Sequence, residues 1–150
     1  MNKLKKLYFM GNAHIDPVWM WRWQEGSAEA KATVRSALDR MKDFPDFTFT
    51  AACGSYYEWI EQSDPAMFEE VRARVAEGRW EVDGAMWLEA DCNLISGESF
   101  VRQILHGKRF MKKEFDVDSR VLWLPDVFGY SAALPQIMKK TGVEYFMTTK

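Results

Sequence analysis

Apolar and polar residues along this 150-residue chain follow two alternating periods, one near 2 and one near 3.6. Residues 6–10 form a short apolar run of strand type. From residue 25 to residue 43 apolar positions return at helical spacing, with Ala28, Ala32, Leu38 and Met41 among them and Pro45 just beyond. Residues 47–52 alternate aromatic, threonine and alanine, the pattern of a second strand. After a turn at Cys53-Gly54-Ser55 the helical period resumes over 56–77 and is broken in two at Asp64-Pro65, where Asp64 suits an N-cap and Pro65 a first helical position. Gly78 supplies the stop. A third strand is predicted over 80–87, a polar loop over 89–96 and a helix over 98–115. The pattern closes with a strand over 121–125, a helix over 131–141 ended by Gly142, and a strand over 144–149.

Strands that alternate with helices pair in parallel through right-handed crossovers, so the fold class is an α/β sheet or barrel. No low-complexity linker and no repeat interrupts residues 1–150, which read as one domain. The chain stops at Lys150 directly after a strand, and a parallel sheet cut there leaves an open edge, so an incomplete domain is expected. A hydrophobic share of 47% is ordinary for a globular protein. With 20 basic against 22 acidic residues there is no electrostatic footprint for nucleic acid or an anionic membrane. The apolar run Leu7-Tyr8-Phe9-Met10 is too short for a signal-peptide core, and no stretch reaches the ~20 apolar residues of a membrane span. Two cysteines outside any CxxC motif, Cys53 and Cys92, make no disulfide framework and point to a reducing, cytoplasmic setting.

Parallel α/β folds gather ligands at the carboxyl ends of their strands, and three polar loops leave strands there. The first carries His14 and Asp16. In extended chain, residues two apart face the same side, so an imidazole and a carboxylate could share one ion such as zinc. On the pair alone the plainer reading is a histidine bonded to a neighbouring loop with Asp16 as a cap, since a metal site needs more ligands. Asp126 ends the fourth strand and is either a helix cap or an ionised nucleophile or third ligand. Glu89 and Asp91 read as a solvated loop, and His106 as a surface histidine. Aromatic residues reach 15%, with seven tryptophans. Core burial explains most of them, but Trp19, Trp21 and Trp23 alternate beside polar groups in a way that suits sugar stacking.

The run Asn12-Ala13-His14-Ile15-Asp16-Pro17-Val18-Trp19 resembles the first signature of the class II α-mannosidases, glycoside hydrolase family 38. Trp123-Leu124-Pro125-Asp126-Val127-Phe128-Gly129-Tyr130-Ser131 resembles that family's nucleophile segment, and Asp91-Cys92-Asn93-Leu94-Ile95-Ser96-Gly97-Glu98-Ser99 resembles the segment between them in its bacterial and cytosolic-type branch. The resemblance runs through essentially the whole chain, with the motifs in order. It implies a seven-stranded parallel β/α barrel of which this chain is the first part. It also implies a retaining α-mannosidase acting on mannose-containing oligosaccharides or glycosides. His14 and Asp16 become zinc ligands (cobalt being the other candidate metal), Asp126 both nucleophile and zinc ligand, and Trp19 and Phe128 the aromatic walls of the mannose subsite. The family's fourth ligand, a histidine, and its general acid/base, an aspartate, match nothing up to Lys150, so the isolated chain is expected to be inactive. Two other readings stay open: a metal-dependent hydrolase of the polysaccharide deacetylase kind, and a non-catalytic carbohydrate-binding fragment.

Overall fold

The computed structural model describes residues 5–150. Five short strands and five helices alternate: β1 Gly11–Asn12, α1 Trp23–Asp43, β2 Phe49–Ala51, α2 Gly54–Ser63, α3 Pro65–Ala76, β3 Trp80–Val82, α4 Gly97–Phe115, β4 Val121–Trp123, α5 Leu134–Thr141 and β5 Tyr145–Met147. All pairing is parallel. β1-β2-β3 form one ladder and β4-β5 a second, joined by a parallel bridge from Gly84 to Leu122. The strands thus lie side by side in sequence order. Right-handed crossovers between neighbours place successive helices on one face of such a sheet, and α1 packs on α2, α2 on α4 and α4 on α5.

The strand expected over 6–10 is not there; pairing begins at Gly11, whose neighbour is Phe49. Residues 44–47, which would have to lie beside 6–10, are held in a turn by the Phe47 N–H bond to the Phe44 carbonyl (3.0 Å), so Leu7, Tyr8 and Phe9 stay exposed. The other strands keep their places but shorten to three residues each. α5 starts at Leu134 because Ser131 and Ala133 turn ahead of Pro135, which sits in the first helical turn. The apolar stripe of α1 runs through Gly26, Ala30, Val34, Ala37, Leu38 and Met41; Ala28 and Ala32 lie on its outer face instead. The break between α2 and α3 is built as the sequence indicates: Asp64 accepts the Met67 N–H (3.2 Å) ahead of Pro65.

The main core lies between the sheet and α1, α2, α3 and α4, around Leu38, Tyr57, Ile60, Val71, Trp80 and Met111. The polar tips of its two large aromatic residues are matched: Trp80 Nε1 donates to the Tyr57 hydroxyl (2.9 Å), which donates to the Ala51 carbonyl (2.7 Å). A second core under β4 and β5 gathers Ile104, Leu122, Leu124 and Leu134. The two halves are stitched by Asp83, whose Oδ1 accepts from Gly84 N (2.8 Å), from the Ser119 hydroxyl and from Val121 N (3.4 Å). Cys53 and Cys92 are buried and unpaired. Among the described residues no helix is long and apolar enough to cross a membrane.

Close approach of α4 to the segment after β3 depends on Gly107. A Cβ there would lie 2.4 Å from both the Ala85 carbonyl oxygen and the Met86 carbonyl carbon. Helix propensity alone favours Ala over Gly by about 1 kcal/mol, whereas overpacking against backbone costs about 1–3 kcal/mol. Gly107→Ala is therefore expected to lower the urea midpoint, and a midpoint at or above that of the parent chain would contradict this packing.

Candidate active site

The loops after β1, β3 and β4 open on the same rim of the sheet. Residues 13–22, between β1 and α1, carry His14, Asp16 and Trp19. Their path is fixed from below. The Tyr56 hydroxyl on α2 donates to the Ile15 carbonyl, Trp21 Nε1 donates to the Asp16 carbonyl (3.0 Å), and Pro17 lies on Gly26 of α1, where a Cβ would come within 2.2 Å of the Pro17 carbonyl oxygen. Glu89 follows β3 by way of Trp87 and Leu88, and Asp126 follows β4 by way of Leu124 and Pro125.

The His14 ring is the meeting point. Its Nε2 lies 3.4 Å from Asp16 Oδ1 and 4.0 Å from Asp126 Oδ2, and its Nδ1 lies 3.5 Å from Glu89 Oε2. Asp126 Oδ1 is 2.6 Å from Lys150 Nζ, and that ammonium also sits over the Phe128 ring, 4.5 Å from its centroid. The environments of the carboxylates differ. Asp126 is 46% exposed, and the Lys150 hydrogen bond, aided by the Lys150 and His14 charges, holds it below the usual carboxylate range. Glu89 is only 11% exposed; burial, reinforced by the Asp16 and Asp126 charges, pushes it up to about 8. The solvated reading of Glu89 is thus corrected: it turns inward and borders a small enclosed cavity with Ile15, Ala52, Tyr56 and Trp123. Asp91 is the turn former of that pair, accepting the Asn93 N–H (2.9 Å). Asp126 caps no helix, since the α5 N-cap is Ala133.

Trp19 and Phe128 are exposed aromatic residues on these loops, 61% and 79% accessible. Trp19 meets Trp21 edge-on at 5.2 Å, while Trp23 leans on Trp59. His106 lies away from this rim, in a surface groove with Trp87 and Arg109. The structure therefore brings His14, Asp16 and Asp126 together and adds Glu89, Tyr56 and Gly26. Among the described residues no three His, Cys, Asp or Glu side chains close into a ligand cage.

An imidazole ringed by carboxyl groups at the carboxyl ends of parallel strands, with exposed aromatic side chains beside it, lies where parallel α/β folds gather their ligands. Residues 5–150 match the model of the glycosyl hydrolases family 38 N-terminal domain, and the chain belongs to that family. It is 37% identical over 145 residues to Alpha-mannosidase G of Dictyostelium discoideum, covering 97% of this chain and 13% of that protein. It is 34% identical over 148 residues to Alpha-mannosidase of Saccharomyces cerevisiae, covering 98% and 14%. The chain thus spans about one-seventh of the length of these relatives. The crystal structure of an alpha-mannosidase from Enterococcus faecalis V583 superposes with a TM-score of 0.84 at 25% identity, over 93% of this chain and 16% of that one.

The seat of Pro17 on Gly26 yields a test of how the first loop is held. Gly26→Ala should speed amide exchange at Ile15, Asp16, Val18 and Trp19 by about tenfold or more, in keeping with an overpacking cost of about 1–3 kcal/mol. Unchanged exchange in those four amides would show that the loop does not rest on α1.

Proposed function

We propose that this chain is the N-terminal part of the catalytic domain of a retaining α-mannosidase that hydrolyses terminal α-mannosides with the aid of a divalent metal, zinc or cobalt. The supporting observation is the His14 ring, with its Nε2 turned toward Asp16 (3.4 Å) and Asp126 (4.0 Å) from two different strand ends. In this reading the five strands, laid side by side in sequence order, are the first part of a seven-stranded β/α barrel.

In this reading the donor types present suit a cation. One nitrogen and two carboxylate donors are the set that zinc takes. Ligand atoms about 2.0–2.1 Å from a tetrahedral ion stand about 3.4 Å apart, the separation His14 and Asp16 have. Asp126 already attracts a positive group, the Lys150 ammonium. His14, Asp16 and Asp126 would hold the metal, with a further ligand from outside the 150 residues. When bound, the metal supplies Lewis-acid charge to neighbouring hydroxyl oxygens of the sugar, which favours a cis pair and hence mannose over its C2 epimer.

The rest falls to the chain's own groups. Asp126, kept ionised by the cationic groups around it, attacks the anomeric carbon. The bond from that carbon to the leaving oxygen breaks, and the oxygen keeps the electron pair and takes a proton from a second carboxyl about 5–5.5 Å from the nucleophile, supplied from outside the 150 residues. Water then attacks the same carbon, its proton passes to that second carboxyl, and Asp126 is released. Trp19 and Phe128 stack on the sugar faces and orient the ring. The buried, unpaired Cys53 and Cys92 suit the reducing cytoplasm.

In the protein that carries this chain, Asp126→Asn is expected to reduce turnover of an activated aryl α-mannoside at least ~10⁴-fold, in line with the non-additive loss of a unit that acts as nucleophile; turnover near the parent rate would remove Asp126 from that role. Incubation with a fluorinated α-mannoside inactivator should leave a covalent hexosyl adduct on Asp126 by mass spectrometry. Hydrolysis with no adduct at Asp126 would favour a water-activating, deacetylase-like chemistry. His14→Ala should lose bound zinc and activity together, and full zinc occupancy in that variant would exclude His14 as a ligand.

A further inference from the structure

Glu89 combines features that do not suit a bystander. Its Oε2 is buried and has no hydrogen-bond partner within ordinary range, although a carboxylate oxygen taken out of water costs several kcal/mol unless it is matched. The group it faces is His14 Nδ1 at 3.5 Å. On the other side of the same ring, Nε2 faces Asp16 and Asp126. The ring is therefore placed between unlike groups, with one buried carboxyl group behind it and two open ones in front. A histidine nitrogen can give its lone pair to a cation only when the ring proton sits on the other nitrogen.

We propose that Glu89 is the positioning residue of His14: its buried carboxyl group takes the Nδ1 proton as a hydrogen bond, fixing the tautomer and ring plane that leave Nε2 free toward Asp16 and Asp126. The inference deepens the metal-dependent reading above and rests on it for its purpose, though not for the tautomer itself. The scaffold supports the role. Glu89 follows β3, the strand next to β2, and borders a small cavity with Ile15, Ala52, Tyr56 and Trp123. Tyr56 holds the Ile15 carbonyl, so the backbone that carries His14 is anchored independently of the ring. Carboxyl groups placed behind a ligating histidine change metal affinity about 10–100-fold in general.

The chain contains two histidines, so the test can be read without metal. Long-range ¹H–¹⁵N correlation of the metal-free chain labelled at histidine, with His106→Gln to assign the signals, should place the His14 proton on Nδ1. Glu89→Leu should mix or reverse the two tautomers, Glu89→Gln, nearly the same shape and still an acceptor, should keep more of the Nδ1-protonated form, and circular dichroism of each variant reports whether the fold persists. In calorimetric titration with Zn²⁺ alone, Glu89→Leu should bind about 10–100-fold more weakly than the parent chain, with Glu89→Gln between them. A parent His14 protonated on Nε2, or zinc affinity within twofold across the series, overturns the positioning role. The Nδ1 tautomer in the parent chain, together with no zinc bound by the longer protein that carries it, leaves that assignment standing and instead removes the metal-dependent reading.

Discussion

The imidazole of His14 lies among three carboxyl groups that reach it from three strand ends. Like charges gathered this closely repel one another, and each raises the pKa of its neighbours unless something cationic or hydrogen-bonding intervenes. The protein answers that problem differently on each side of the ring. In front, Asp16 and Asp126 remain open to solvent and to positive groups, and Asp126 has the Lys150 ammonium on its other oxygen. Behind, Glu89 is buried and pushed upward. A single aromatic nitrogen heterocycle thus divides an exposed pair from a sequestered group, and the chemistry proposed for the rim follows from that division.

The scaffold makes the division reproducible. Strands laid in sequence order deliver successive loops to one edge of the sheet, so residues 14, 89 and 126 meet despite their separation along the chain. Short strands of three residues leave little sheet to hold them. Rigidity comes from helices pressed against the loops instead: Gly26 lets α1 touch Pro17, Gly107 lets α4 touch the turn after β3, and Tyr56 of α2 ties the Ile15 carbonyl. Aromatic residues in the main core, Trp80 and Tyr57 above all, hold β3 against α2 through a matched hydrogen-bond chain. The result is a floor of well-packed helices beneath loops whose own tips, Trp19 and Phe128, stay exposed and available to a ligand.

Much of this was legible in the sequence. Strong helical periods placed α1 to α4 to within about two residues, and the Asp64-Pro65 break appears where capping chemistry demands it. The convergence of His14, Asp16 and Asp126 on one rim was foreseeable because each lies in a polar loop at a strand end. The misses have physical causes. Residues 6–10 carry a strand pattern but face a turn at 44–47, and pairing is a property of two segments, which one segment cannot reveal. Ala28 and Ala32 are too small to mark a face, so the true stripe through Gly26, Ala30 and Val34 was hidden by other small residues. Glu89 was assigned to solvent on the general exposure of acidic residues. The available signal was local: it stands two residues after Trp87 in a run that leaves a buried strand. Nothing in the sequence pointed to the Tyr56 contact with Ile15, because it links segments 41 residues apart.

The most direct measurement is an anomalous-difference map from crystals of the protein grown with Zn²⁺, collected across the zinc edge. The account predicts one strong peak about 2.0–2.2 Å from His14 Nε2 and from an oxygen of both Asp16 and Asp126, with Lys150 moved off Asp126 and Glu89 remaining on the Nδ1 side. Zinc found elsewhere on the molecule, or bound at Nδ1 between His14 and Glu89, would contradict it.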